Sequence, residues 1–257
     1  MGTARTKRAD RGYEKAAQID PYYAVIPFPQ FRRSQLSEEH LQQFFAIGHQ
    51  HIESVISLIH RHFAPDFVPH RALDYGCGTG RLVVPLSRLA ERVVGADISR
   101  SMLEETRKNC ERFGLNNVEL VLADDDLTRL TGKFDLIHST LVFQHIPAKR
   151  VEKIVRGLIA RLEPGGFGSL HFLFWCPPAM RIARFIKRTI PFGNTIANWL
   201  KGRALDFGYI DLRPLSMDRI VRVLAGSGIR EIWAEFPDWK IEPDSRCVHV
   251  TFRCPGG

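Results

Sequence analysis

The sequence predicts an α/β protein with a doubly wound, mainly parallel sheet that helices cover on both faces. Short apolar segments typical of strands alternate with amphipathic helical segments between residues 71 and 174. Strands joined through a helix pair in parallel, because the crossover returns the chain to the same edge of the sheet. The last two strand-like segments have only a turn between them, so we expect them to pair antiparallel. A length of 257 residues suits one domain of this class.

The composition excludes several classes of protein. Hydrophobic residues make up 44% and charged residues 25% of the chain, as in folded globular proteins and unlike disordered or collagen-like chains. No apolar run approaches the ~20 residues that span a bilayer, and the basic start lacks the apolar segment of a signal peptide. Five scattered cysteines indicate a reducing compartment and no structural zinc. We therefore expect a cytoplasmic protein.

The first 65 residues are expected to form a flexible tail and a helical cap. Residues 1–12 are basic and show no periodicity, which is typical of a mobile terminus. Residues 13–65 contain the pattern of one long amphipathic helix. Ser37 is a favourable N-cap, Glu38 begins an acidic first turn, and apolar residues recur at helical spacing until Pro65.

The α/β core of the domain is expected in residues 66–176 and 215–257. Periodicity separates its strands, which are short and apolar, from its helices, which carry an apolar stripe. The predicted strands are Arg71–Tyr75, Arg92–Asp97, Val118–Leu122, Phe134–Ser139, Phe167–Phe174, Ile229–Phe236 and Arg246–Phe252. The predicted helices are Arg81–Leu89, Ser99–Phe113, Pro147–Leu162 and Ser216–Ala225.

A helical insertion over residues 177–214 is predicted after the fifth strand. Insertions of this length are usually lids or binding elements. Apolar and basic residues alternate at helical spacing from Met180 to Ile190, in a stretch without acidic residues. Two interpretations stay open: a lid over a binding site, which we favour, or a peripheral contact of residues 179–203 with an anionic membrane. The net charge of +8 is compatible with either one.

The most informative motif, Asp74-Tyr-Gly-Cys-Gly-Thr-Gly80, follows the first strand. Glycines have no Cβ, so the backbone is able to approach a ligand closely, while the acid accepts a hydrogen bond from a cationic group. A dinucleotide-binding loop would need a glycine at the position of Arg81. The motif therefore argues against NAD.

With this motif the chain resembles the class I (Rossmann-like) S-adenosylmethionine-dependent methyltransferases of the small-molecule type. The resemblance implies S-adenosyl-L-methionine as cofactor, S-adenosyl-L-homocysteine as product, no metal ion, and a seven-stranded sheet in the order 3-2-1-4-5-7-6 with strand 7 antiparallel. It implies that Asp97 accepts hydrogen bonds from both ribose hydroxyls and that Asp124 holds the adenine amino group. The cofactor-binding residues that it implies are Asp74, Gly76, Cys77, Gly78, Gly80, Asp97, Ile98, Asp124, Asp125 and Ser139.

His145 is the candidate catalytic residue, because it follows the fourth strand, whose end lies beside the transferable methyl group in the resembled fold. A histidine there is able to accept a proton from an oxygen or nitrogen acceptor; the alternative is a histidine that packs its loop. Tyr22, Tyr23 and His49 are candidate substrate residues, with packing or surface exposure as the alternative. His138, on a central strand, is expected to be structural.

The acceptor predicted from the sequence is a hydroxyl or amine of a small molecule, a glycan or a lipid-linked molecule. Base-amine methyltransferases of this family carry an Asn/Asp-Pro-Pro-aromatic motif where this chain has Ser139-Thr-Leu-Val142, so a nucleic acid is not the expected partner. Cys176 lacks the sequence context of a cysteine nucleophile. Two alternatives stay open: a non-catalytic cofactor-binding or membrane-surface protein with this fold, and an RNA methyltransferase.

Overall fold

The computed structural model describes residues 4–178, 182, 193–200, 212–237 and 244–256. Within them a single sheet carries helices on both faces. The strands are β1 (Arg71–Tyr75), β2 (Arg92–Asp97), β3 (Val118–Leu122), β4 (Phe134–Ser139), β5 (Leu162–Trp175), β6 (Glu231–Glu235) and β7 (Arg246–Arg253). The helices are α1 (Ala4–Ile19), α2 (Pro21–Val25), α3 (Glu38–His62), α4 (Val83–Ser87), α5 (Arg100–Arg112), α6 (Ala148–Ile159), α7 (Gly193–Leu200) and α8 (Met217–Gly226), with 3-10 turns at Pro29–Phe31 and Phe143–His145.

The order of the strands confirms the predicted sheet. It is β3-β2-β1-β4-β5-β7-β6, with parallel pairing from β3 to β5 and antiparallel pairing of β7 with both neighbours. Predicted boundaries agree closely for most elements. The helix predicted over Arg81–Leu89 is shorter, because the turn after Gly80 continues through Leu82. β5 begins earlier than predicted, at Leu162.

Two apolar layers enclose the sheet, one on each face. Successive side chains of a strand point to opposite faces, so Leu73 packs in the layer under α6 and α8 while Ala72 packs in the layer under α3, α4 and α5. Ile137 and Leu136 divide between the two layers in the same way. Burial on both faces explains why the central strands are almost continuously apolar.

The structure corrects the tail that was expected over residues 1–12. From Ala4 onward these residues belong to α1, which continues to Ile19. Ala16 is fully buried, and Glu14 Oε1 accepts a hydrogen bond of 2.6 Å from Ser101 Oγ on α5. A helix whose apolar face consists mainly of small alanines gives a weak periodic signal, because its burial depends on tertiary contacts rather than on large side chains.

The long helix α3 begins where the sequence placed its cap. Ser37 Oγ accepts a hydrogen bond of 3.2 Å from His40 N, and the His40 ring returns toward Ser37 N. The predicted amphipathic helix over Met180–Ile190 lies outside the described residues, and within the insertion the structure gives α7. Across the described part of the chain, no helix combines the length and apolar character needed to cross a membrane.

Candidate active site

A pocket opens at the carboxyl ends of the parallel strands, where ligands of open α/β sheets bind. Its empty volume is about 750 Å³, a figure that includes open solvent. Helix α1, the turn after β1, the ends of β2 and β3, the 3-10 turn after β4 and α6 all contribute to its wall. The lining residues are Asp10, Tyr13, Tyr75, Gly76, Ala96, Asp97, Ile98, Ala123, Asp124, Asp125, Val142, His145, Ile146 and Arg150.

The glycine turn forms the floor of this pocket. Gly76, Gly78 and Gly80 have φ values of +79°, +56° and +83°, a region that side chains other than glycine rarely adopt. A Cβ at Gly76 would lie 2.2 Å from a Val142 methyl group, so this position also needs glycine for space. Gly76 N donates to Ala96 O at 2.6 Å and thereby holds the turn against β2.

Asp97 ends β2 and presents a buried carboxylate to the pocket. Its Oδ2 accepts a hydrogen bond of 2.9 Å from Gly78 N, and its Oδ1 accepts one of 2.8 Å from Ser99 N. Burial raises the pKa of Asp97 to about 6, although these two donors favour the charged form. A carboxylate has about four lone-pair sites, so Asp97 retains the capacity to accept two further O–H donors.

Two acids after β3 form the opposite wall and have different partners. Asp124 caps its own turn by accepting bonds from Thr128 Oγ1 at 2.7 Å and Asp126 N at 2.9 Å. Although burial acts to raise it, these hydrogen bonds leave the pKa of Asp124 below its usual value. Asp125 instead forms a bidentate pair with Arg150, with both distances 2.6 Å.

Helix α1 covers one side of the pocket, which the sequence did not predict. Asp10 Oδ1 accepts a bond of 3.1 Å from Arg150, so this guanidinium joins α1 to the turn after β3. The Tyr13 ring lies 5.6 Å from the His145 ring, centroid to centroid, and burial raises the pKa of Tyr13. The residues Asp10, Tyr13 and Ala17 recur at helical spacing, which is the weak signal that was available.

The structure places the predicted cofactor residues in two groups. Gly76, Asp97, Ile98, Asp124 and Asp125 line the pocket, as does the predicted catalytic residue His145. Gly78 and Gly80 shape the turn from behind, where Gly80 packs against Thr106. The structure therefore brings half of the ten predicted cofactor residues, together with His145, to one cavity.

The other predicted cofactor residues are buried beside the pocket rather than in its described lining. Ser139 Oγ donates to Tyr75 O at 2.8 Å, and burial raises the pKa of the Cys77 thiol. Asp74 Oδ1 lies 3.1 Å from His138 Nδ1. These three residues support the turn and the central strands.

The three candidate substrate residues lie away from the described pocket lining. Tyr22 packs edge-on against Phe44, and its hydroxyl is 3.1 Å from Asn109 Oδ1 on α5. The Arg32 guanidinium lies 4.6 Å above the Tyr23 ring. His49 is exposed beside Glu53 on α3. Their contacts are those of packing and surface residues, which the sequence analysis had left as the alternative.

A second group of functional side chains, here called the histidine cluster, consists of His51, His138 and His249. His51 Nε2 lies 2.9 Å from His138 Nε2, and the His51 and His249 rings are parallel with centroids 5.4 Å apart. Burial lowers the pKa of both His51 and His249, so these rings are neutral near pH 7. Sequence analysis treated His138 as structural and did not bring the three together, because they lie on α3, β4 and β7.

Comparison with known proteins agrees with the sheet order and the glycine turn. A family model for a methyltransferase domain matches residues 72–166, which run from β1 to the start of β5. The ubiquinone biosynthesis O-methyltransferase of Chelativorans sp. (strain BNC1) is 28% identical over 166 residues, covering 65% of this chain and 61% of that protein. The chain therefore matches less than two thirds of this relative's length.

Solved structures share the whole fold at low sequence identity. Magnesium protoporphyrin IX methyltransferase ChlM from Synechocystis PCC 6803, with bound SAH, gives a TM-score of 0.57 at 18% identity and covers 93% of this chain and 99% of its own. The N-methyltransferase NodS from Bradyrhizobium japonicum WM9, with S-adenosyl-L-homocysteine, gives 0.61 at 13% identity, with coverages of 96% and 99%. A methyltransferase-domain family thus matches residues 72–166, and the sheet has the order that the resemblance to class I S-adenosylmethionine-dependent methyltransferases predicted.

Proposed function

We propose that this protein transfers a methyl group from S-adenosyl-L-methionine to a hydroxyl or amine of a small molecule. The observation that carries the proposal is the Asp97 carboxylate, which two backbone N–H groups fix at the end of β2 with its remaining acceptor sites toward the pocket. A pair of ribose hydroxyls is the donor set that such a carboxylate matches. The relatives support the same class of reaction.

The rest of the pocket fits this cofactor. Gly76 lets the turn approach Val142 in the pocket wall, since a Cβ there would lie 2.2 Å from a Val142 methyl group. Ile98 and Ala123 add apolar surface to the pocket lining. Asp124, held as a carboxylate by its turn, is an acceptor for an exocyclic amino group. These features support binding of an adenosine group between β2 and β3.

When bound, the cofactor supplies an electrophilic methyl group on a sulfonium. The protein's own contribution is to hold the acceptor in line, to exclude water and to take up a proton. His145 lies in the pocket wall at the end of the 3-10 turn after β4. We propose that His145 takes up the proton that the acceptor releases. Tyr13, stacked obliquely against it, limits the orientation of the imidazole ring.

Calorimetric titration with S-adenosyl-L-homocysteine tests the cofactor site. Asp97→Ala is expected to weaken binding by roughly 10–150-fold, the equivalent of ~1.5–3 kcal/mol for hydrogen bonds to a charged group. Asp66→Ala, an exposed acid in the loop before β1, is the matched control and should bind as the wild type does. Absence of binding by the wild-type protein would contradict the proposal.

A methyl-transfer screen over phenols, sugars, amines and lipid-linked hydroxyls then tests catalysis. His145→Gln is expected to lower kcat while leaving S-adenosyl-L-homocysteine affinity within about threefold, because this change keeps most of the side-chain volume. Cofactor binding without turnover on any acceptor would instead favour the non-catalytic alternative. RNA is included in the screen as a further acceptor, because methylation of RNA would favour the RNA methyltransferase alternative.

The acceptor class is proposed from the relatives' names and from the position of the insertion. The similar proteins are named as a ubiquinone biosynthesis O-methyltransferase, a magnesium protoporphyrin IX methyltransferase and an N-methyltransferase. The proposal therefore includes both oxygen and nitrogen acceptors. We propose that residues 13–65 and 177–214 together cover the acceptor in a single domain. We also propose a cytoplasmic location and a peripheral contact of residues 179–203 with an anionic membrane.

A further inference from the structure

Polar side chains from four adjacent strands converge on one face of the sheet. Residues that are direct neighbours across strands point to the same face. Asp74 pairs with His138, and His138 pairs with Ser169. On β5 and β7, His171 pairs with His249 on that same face, two residues along from Ser169. At the carboxyl ends of β1 and β4, the layer under α3 therefore consists of buried imidazoles and an acid instead of apolar side chains.

Helix α3 closes this layer and adds the third member of the histidine cluster. A Cβ at Gly48 would lie 2.3 Å from Arg81 O, so glycine is what allows the helix to approach the turn after β1 closely. His51 follows one turn later and reaches His138, Nε2 to Nε2, at 2.9 Å. His51 and His249 are only partly buried, so solvent reaches the cluster.

We propose that His51, His138 and His249 bind one divalent transition-metal ion of the zinc or cobalt class. One ring nitrogen from each residue lies within 4.8 Å of the other two. Tetrahedral coordination with metal–nitrogen bonds of ~2.0–2.1 Å needs nitrogens about 3.4 Å apart. Metal binding therefore requires ring rotations that separate the closest pair, now 2.9 Å apart, and bring the third nitrogen nearer.

The neighbours of the cluster have the arrangement that metal-binding histidines require. Asp74 Oδ1 lies within hydrogen-bond distance of His138 Nδ1, so the other ring nitrogen, Nε2, faces the other rings. A carboxylate bonded in this way to a metal-binding histidine fixes the tautomer of the imidazole and raises the basicity of the imidazole. Asp74 Oδ2 has no hydrogen-bond partner among the described atoms. The Ser169 hydroxyl lies 2.8 Å from His249 Nε2 and orients that ring.

The donor set favours a borderline transition metal over magnesium or calcium. Three imidazoles suit zinc, cobalt, nickel or copper, whereas magnesium and calcium need oxygen ligands. Three-histidine zinc sites keep a fourth position for water or a substrate atom.

Titration of the metal-stripped full-length protein with cobalt(II), followed by visible absorption, tests this site without an activity measurement. The wild type is expected to bind one equivalent with the intense d–d bands of a tetrahedral ion, and zinc should displace it. His51→Gln and His249→Gln should each weaken cobalt binding at least about a hundredfold, because loss of a ligand exceeds the 10–100-fold effect of losing an outer partner.

His49→Gln is the matched control, since His49 lies two residues from His51 on the same helix but is exposed and outside the cluster. It should bind cobalt like the wild type, and S-adenosyl-L-homocysteine binding by all variants checks their fold. Native mass spectrometry of the wild type with zinc gives the stoichiometry without any variant. Absence of one-to-one binding there, or equal cobalt binding by His51→Gln, would overturn the proposal and leave a hydrogen-bonded Asp–His–His chain.

Discussion

At the scale of single residues, Asp97 has a property that the sequence motif does not reveal. A motif shows that an acid ends the second strand, whereas only the fold shows that this acid is almost fully buried, at 4% exposure. Burial, opposed by two backbone donors, raises the pKa of Asp97 to about 6. Its charge therefore changes within the range of ordinary assay buffers.

We expect cofactor affinity to depend on pH through this residue. The free protein binds a proton at Asp97 below about pH 6, whereas ribose hydroxyls that donate to Asp97 favour the ionised form. Binding must then release that proton, so affinity should be level above about pH 7 and should fall by up to about tenfold per pH unit below pH 6.

Calorimetry with S-adenosyl-L-homocysteine between about pH 5 and pH 8 measures this dependence. Asp97→Asn supplies the control, because its amide does not titrate in this range and retains one acceptor oxygen. The variant should bind more weakly at pH 8 and show a flatter profile. Equal slopes for the two proteins would assign the pH dependence to another group.

At the scale of elements, sequence and structure agree where the signal is local and differ where it is not. The glycine turn and the acids at three strand ends were predictable because each depends on neighbouring residues, whereas the order of the sheet was predicted from the family resemblance that these motifs carry. The Arg150 contact with Asp10 spans 140 residues, and the histidine cluster draws on three separate elements. No local pattern encodes which of many arginines or histidines will meet.

Helix α1 is the element with the largest functional consequence among those that the sequence did not predict. We expect Tyr13→Ala to weaken S-adenosyl-L-homocysteine binding by about tenfold, since the ring forms part of the pocket wall and its removal exposes apolar surface worth more than ~1 kcal/mol. Tyr13→Phe should retain most of the affinity. Lys15→Ala, at an exposed position of the same helix, is the control for loss of helix stability. Comparable weakening of S-adenosyl-L-homocysteine binding in that variant would contradict a direct role of the Tyr13 ring.

At the scale of the whole molecule, the pocket joins parts of the chain that are distant in sequence. Its wall combines α1, the turns after β1, β2 and β3, and the start of α6, so a ligand there contacts both the N-terminal segment and the parallel sheet. A ligand that binds only the folded state stabilises it by mass action. Cofactor binding should therefore raise the free energy of unfolding of the whole fold, and not only that of the elements that line the pocket.

We expect S-adenosyl-L-homocysteine at about a hundredfold excess over its Kd to stabilise the fold by ~2.7 kcal/mol. For a chain of 257 residues, about 2–4 °C per kcal/mol translates this into a rise in Tm of roughly 5–10 °C. Differential scanning calorimetry measures it. At the same ligand concentration, Asp97→Ala should show a rise of about half this size or less, because its Kd is larger. A wild-type Tm that stays constant while calorimetry at 25 °C reports tight binding would mean that the ligand also binds the unfolded chain, or that α1 unfolds separately from the sheet.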